Sequence, residues 1–206
     1  MKKQSTLRKK IAREAALLIY FGEEKEYKQA KMKAAKNLGS RFLPTNREIA
    51  EELDRIAWEN EGEERNERLI KLRKKALELM MILEEFKPKL IGSVWRGTTH
   101  RNSDIDIAVY CQTPEKVLNV LKKNNLKIIR SEWQSVVKNG EKRKSFHIFL
   151  NFNSDIETEI VVKSPEEYEK TEKCEIYGDL ITGLDIQQLK EVLDKNPLQR
   201  FLPNKS

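Results

Sequence analysis

The stretch Lys89 to Tyr110, KLIGSVWRGTTHRNSDIDIAVY, constrains this chain more than any other. A short apolar run, Leu90-Ile91, meets Gly92-Ser93; a polar loop follows, and Ser103-Asp-Ile-Asp-Ile-Ala-Val-Tyr110 then alternates polar with apolar. Such alternation has the period of a half-buried strand, so Asp104 and Asp106 face one side and Ile105, Ile107 and Val109 the other. Two positions along a strand span roughly 6.6 Å, close enough for two carboxylates to converge on one cation or a pair. Asp is depleted in strands, and like charges side by side raise each other's pKa. The pair therefore needs a positive partner, for which Mg²⁺ with a phosphate is the usual choice. The bland alternative is a strand-ending turn at Gly92 and a solvated face for the two Asp. Other phosphate motifs fail: Gly92 and Gly97 have P-loop spacing, but Thr98 stands where the Lys is needed.

The order of these parts resembles the DNA polymerase β-like nucleotidyltransferase superfamily. Its signature is an apolar strand, Gly-Ser, a helical turn, and a strand carrying Asp-x-Asp. The corresponding parts are Ile91-Gly92-Ser93, Val94-Trp95-Arg96-Gly97 and Ser103-Asp104-Ile105-Asp106. The spacing is similar to that of the small, prokaryotic "minimal" nucleotidyltransferases, whose pattern reads close to GSRARG…SDID. Arg96-Gly97 matches the second Arg-Gly of that pattern; Val94 replaces the first Arg, and His100 and Arg101 fall where Arg-Pro is common.

The resemblance implies a metal-dependent enzyme that moves a nucleoside monophosphate from an NTP, ATP first among them, to a hydroxyl. It implies that Gly92 and Ser93 hold the triphosphate, that Arg96 offsets phosphate charge, and that Asp104 and Asp106 bind two Mg²⁺ ions, replaceable by Mn²⁺. The family takes a third carboxylate from a neighbouring strand. Asp155, Glu157 and Glu159 share one face of the segment 155–163, and Glu159, just before Ile160-Val-Val162, is the better match, with Glu157 the alternative. Lys163 continues that face. No Cys–His or Ser–His constellation is expected near the motif, in keeping with transfer that needs no covalent protein nucleophile. His147 reads as structural, and Trp95 as core.

The formal charge of +7 lies wholly within residues 1–40, which hold 11 Lys and Arg against 4 Asp and Glu. That marks a candidate surface for RNA, set against the commoner case of solvated helix faces. The acceptor is therefore RNA through the basic N-terminal helices, or else a protein or small molecule. Alternative functions are a nucleic-acid-binding regulatory module on a transferase fold and an antitoxin-like, protein-modifying transferase. No apolar run approaches a membrane span, and the N-terminus carries no apolar signal segment, which points to a cytoplasmic protein without membrane partners. Cys111 and Cys174 are too few for a zinc knuckle.

Residues 6–86 read as four helices. Gly22 and Gly39 end the first two, Thr45 with Glu48 forms a capping box for the third, and the fourth runs from about Glu64 to Phe86 before Pro88. Beyond Tyr110 come a helix at Pro114–Lys123, a strand from Leu126 to Lys138, an Asn139-Gly140 hairpin turn, a return strand Ser145–Phe152, a turn at Asn153-Ser154 and a strand to Lys163. A small hairpin at Cys174–Thr182 and a last helix capped by Asp185 complete the chain. The expected fold is α+β, a mixed-sheet nucleotidyltransferase core at residues 63–206 with a helical N-terminal appendage at residues 1–62.

Overall fold

The computed structural model describes residues 2–138, 141–152 and 156–204. The Asn139-Gly140 and Asn153-Ser154 turns, and Asp155, lie outside them. Three helices open the chain: α1 (Lys2–Tyr20), α2 (Tyr27–Asn37) and α3 (Asn46–Ile82). The Thr45 capping box is formed, its hydroxyl accepting from the Glu48 N–H at 3.2 Å while Glu48 accepts from the Thr45 N–H at 2.7 Å. The third and fourth expected helices adjoin within α3 at a kink: at Gly62 the backbone leaves helical geometry (φ 49, ψ −129), and the two helical stretches meet there.

That break divides two interiors. Ile11, Ala15 and Ile19 of α1, Ala30 and Ala34 of α2, and Ile49 to Ala57 of α3 close a purely helical core. From Leu69 onward α3 turns Leu72, Ala76, Leu79 and Leu83 onto the sheet.

The sheet is built from β1 (Lys89–Ile91), β2 (Ile105–Tyr110), β3 (Ile128–Lys138), β4 (Glu141–Phe152) and β5 (Ile156–Lys163), with α4 (Gly92–Arg96) between β1 and β2 and α5 (Pro114–Lys123) between β2 and β3. Its order is β1-β2-β5-β4-β3, with β2 and β5 parallel and the other pairs antiparallel. The mixed α+β sheet matches the expected class. Strands β2 and β3, joined by α5, do run the same way, yet β5 and β4 lie between them. One face, carrying Ile107, Ile148, Ile160 and Val162, packs against α3, α5 and α6 (Ile186–Lys195). The other face carries Asp106, Glu159 and His147. The strands β6 (Glu172–Lys173) and β7 (Leu180–Ile181) form the small hairpin. Asp185 caps α6 reciprocally with Gln188. No helix among the described residues is long and apolar enough to cross a membrane.

Candidate active site

The site starts where β1 ends. Gly92 takes a left-handed φ of +70, which turns the chain from strand into α4. A Cβ built there would lie 1.8 Å from Asp106 Oδ2, so the Asp106 carboxylate rests against the glycine backbone. Antiparallel pairing of Ile91 with Asp106 makes this contact, and only glycine satisfies both the turn and the approach. The Gly-Ser and Asp-x-Asp elements of the sequence are thus one packing unit. Asp104 sits one residue ahead of β2 rather than within it.

Across the sheet, Asp106 is in register with Glu159 of β5. Glu157 lies one pleat away, its side chain 72% exposed and 3.6 Å from the Lys25 ammonium. The structure therefore brings Asp104, Asp106 and Glu159 into electrostatic contact, with Glu157 at the rim. Burial, then Asp104, then Glu159, pushes the Asp106 carboxyl well above its ordinary range. Burial is also the main cause raising Asp104, helped by Glu159 and Glu157.

A Ser–His pair does stand beside these acids, which corrects the expectation from sequence. His147 Nδ1 lies 2.6 Å from Glu159 Oε1, and Ser145 Oγ lies 2.7 Å from His147 Nε2. A carboxylate only accepts, so Nδ1–H donates to Glu159, and Nε2 shares a hydrogen bond with the Ser145 hydroxyl, which can donate or accept. Ser145 and His147 alternate on one strand face, which the sequence displays. Their partner does not follow from that alternation, because it depends on the β4–β5 register.

An all-oxygen set of three carboxylates suits a hard divalent cation, and the raised acids mark where positive charge is wanting. Among the described residues, no group of three or more His, Cys, Asp and Glu is drawn together tightly enough to hold a metal ion as the side chains stand. The donor chemistry is that of a site for a hard divalent cation.

The model of the nucleotidyltransferase domain family matches residues 79–186, just over half of the chain, from the end of α3 to the start of α6. The chain belongs to that family. Among curated proteins no match is found. Among solved structures, Cid1 in complex with the UTP analog UMPNPP shares 17% identity at a TM-score of 0.34, over 55% of this chain and 36% of that one. The Cid1 poly(U) polymerase as a mutant bound to MgATP and in a MgGTP-bound form shows the same identity, at TM-scores of 0.33 and 0.34 and over 54% of this chain and 38% of theirs. This chain spans well under half the length of those structures, and the overlay is loose.

Two cavities flank the Gly92 turn of the nucleotidyltransferase domain. One of about 440 Å³ touches Gly92, Ser93, Thr98 and His100 and is walled by Tyr27 and Leu53 of the helical region. The other, about 640 Å³, continues along the sheet face past Ala108, Tyr110, Val161 and Lys163 to His147 and Ser145. Lys163 is ion-paired with Glu172 at 3.5 Å.

Arg96 is buried, and its guanidinium is committed. It donates to Asp179 at 2.7 and 3.0 Å and to the Phe201 carbonyl at 3.0 Å, between the Trp95 and Tyr177 rings. That differs from the phosphate contact expected of it. Trp95 is core, 3% exposed, and stacks on Phe201. The loop before the Asp pair is gripped by α1 and by α3 on both sides of Gly62. Arg65 donates to the Thr99 carbonyl at 2.5 Å, Glu61 accepts from the Arg101 N–H at 2.8 Å, and Asn102 donates to the Tyr20 carbonyl at 2.8 Å. His100 is enclosed there, and burial holds its pKa down at about 4.

Proposed function

We propose that this domain transfers a nucleoside monophosphate from an NTP to a hydroxyl acceptor, releasing pyrophosphate, in a reaction that depends on Mg²⁺. The observation that carries the reading is the row formed by Gly92, Asp106 and Glu159, in which the glycine backbone, one Asp of the pair and the third acid are locked together by strand register. Gly92 admits a phosphate close to the backbone, and Ser93 offers a hydroxyl and an N–H. Asp104, Asp106 and Glu159 would hold two Mg²⁺ ions, with Glu159 on the acceptor side. When bound, the ions supply a lowered pKa for the acceptor hydroxyl and charge neutralisation at the departing pyrophosphate. His147 fixes the Glu159 carboxylate, and Ser145 steadies the His147 ring. Arg96 lines the smaller cavity beside Gly92 and Ser93, held in place by its pair with Asp179, and would lend its charge to the triphosphate from there. We place the boundary of the helical region at Gly62, where the two interiors part.

The test is nucleotidyl transfer with ATP and each other NTP in the presence and absence of Mg²⁺ or Mn²⁺. Asp104→Asn, Asp106→Asn and Glu159→Gln each lose activity, whereas Glu157→Gln keeps most of it. Full activity without a divalent cation, or a larger loss in Glu157→Gln than in Glu159→Gln, refutes the assignment.

A further inference from the structure

The register that pairs Asp106 with Glu159 continues outward. Glu159 is opposite Phe149 of β4, and Phe149 is opposite Arg130 of β3. Asp106, Glu159, Phe149 and Arg130 therefore form one row across four strands, on one face of the sheet. Neighbouring strands stand about 4.8 Å apart, so Arg130 lies about 14 Å of backbone from Asp106.

The outer half of this row differs in chemistry from the inner half. Phe149 is half-buried and Arg130 exposed, on a face whose opposite side holds the apolar core. The Arg130 guanidinium lies 4.0 Å above the centre of the Phe149 ring. The His147 ring lies nearly parallel to that of Phe149, at 22° and 6.4 Å. A guanidinium laid over an aromatic ring is a planar cation with one face spent and the other face and edges directed outward. Its outer face stacks a base, and its edge N–H groups donate to phosphate oxygens. Beside the row, Asn151 is opposite Glu157, whose charge is offset by Lys25. Glu132, two residues along β3 and bonded to Gln134 at 3.1 Å, bounds the patch towards the larger cavity.

We propose that the Phe149–Arg130 platform binds the 3′ end of a single-stranded nucleic acid and delivers its terminal hydroxyl to Glu159. The proposal rests on the transferase reading above and names its acceptor. The 3′-oxygen forms a new bond to the α-phosphorus of the NTP. The bond from that phosphorus to the pyrophosphate oxygen breaks, its electron pair leaves with pyrophosphate, and the hydroxyl proton passes to water. A free small molecule would gain little from an open shelf, which encloses nothing. A protein acceptor could meet Arg130 with a carboxylate, but a nucleotide strand presents a planar base and a phosphate together in every residue, matching both the face and the edge of the guanidinium. A strand of nucleotides uses both parts of the guanidinium that Phe149 supports, a base on its outer face and a phosphate at its edge.

The test uses the full-length protein with a short, fluorescently labelled single-stranded oligoribonucleotide, and a deoxyribonucleotide of the same sequence. Binding is read by anisotropy over a salt series, and transfer by extension of the oligonucleotide. Phe149→Leu takes away the ring that holds the Arg130 guanidinium flat and raises the acceptor KM and Kd about tenfold, the scale of one lost stacking contact, while the NTP KM stays put. Phe149→Tyr, which keeps the ring, restores both. Arg130→Gln weakens binding and lowers the salt slope by about one phosphate contact. Asp106→Asn binds the strand normally and extends nothing. Extension of RNA and DNA alike supports the platform, and preference for RNA adds that the 2′-hydroxyl is read. If Phe149→Leu and Arg130→Gln both keep wild-type acceptor KM, or if label goes to protein and not to either strand, the platform proposal fails while the transferase reading stands. If Asp106→Asn remains active, the transferase reading fails first. Melting curves on Phe149→Leu and Phe149→Tyr separate folding from binding.

Discussion

Asp106 is held between Gly92, Asp104 and Glu159, and its carboxyl titrates well above its ordinary range, chiefly through burial. A carboxyl raised in the folded state takes up its proton at higher pH there than in the unfolded chain. Its contribution to stability is full below the unfolded carboxylate range and is lost as pH rises through the raised folded value. In chelator at neutral pH, Asp106→Asn is therefore expected to melt above wild type, by about 2–4 °C for each kcal/mol of relieved repulsion. The gap closes as pH falls towards the usual carboxylate range. Calorimetry across pH reads this directly, and a variant that melts lower at neutral pH contradicts it. His147 acts on the neighbouring acid. His147→Ala is expected to lower kcat about 10- to 100-fold, the usual effect of removing a partner that orients a metal ligand, with NTP KM nearly unchanged. His147→Asn, which still offers an N–H to Glu159, should recover part of the loss. A defect confined to NTP KM would assign His147 elsewhere.

Between elements, Arg73 is the chief tie under the Gly92 turn. Fully buried on α3, it donates to the carbonyls of Val94 and Trp95 in α4 and of Pro197 and Gln199 in the tail, at 2.7 to 3.1 Å. Burial draws its pKa down to about 10, which leaves it charged at neutral pH. Arg73→Leu removes the donors and strands four carbonyls, each unmet group costing about 1–3 kcal/mol before relaxation. A loss of about 3–5 kcal/mol in urea unfolding is expected, within the range for breaking a buried charged network. A change below about 1 kcal/mol, the scale of an ordinary surface site, contradicts the role. Nothing local marks Arg73 in the sequence, where it is one of many basic residues on a helix whose visible stripe is Leu69, Leu72, Ala76 and Leu79. Features set by near neighbours were legible: the Thr45–Glu48 box, the Asp185 cap, and the alternation that put Glu159 and Glu157 on one face. Features set by register or by distant chain were not. The Arg96–Asp179 pair, the His147–Glu159 bond and the antiparallel seating of Ile91 on Asp106 each depend on which strand lies beside which.

At the scale of the molecule, the helical region and the sheet meet at the loop before the Asp pair. Composition alone suggested a basic surface for the first 40 residues. In the fold, Arg8 is spent on Glu48, Arg13 on Glu52 and Glu59, and Lys33 on Glu23 and Glu24, while Lys9 and Lys10 stay exposed. Pairing between helices decides how much of a charge excess faces outward, and charge counts carry no information about pairing. The grip on the loop has a pH dependence of its own. His100 is neutral in the fold down to about 4, against an ordinary value of 6.5. The unfolded chain binds that proton first, so the stability His100 contributes is full above 6.5 and is lost as pH falls towards 4. His100→Gln should flatten the fall in melting temperature over that window. An unchanged acid slope would move the loss to other groups.

The proposed reaction moves the α-phosphate of an NTP to an acceptor at Gly92, Asp106 and Glu159. The most direct measurement is a pair of transfer reactions, one with NTP labelled at the α-phosphate and one with label at the γ-phosphate, run on wild type and Asp106→Asn with Mg²⁺. Wild type is expected to place α-label in the acceptor and γ-label only in released pyrophosphate, and Asp106→Asn to yield neither product. Label from the γ-phosphate in the acceptor, or α-label transferred equally by both proteins, would contradict the proposed reaction.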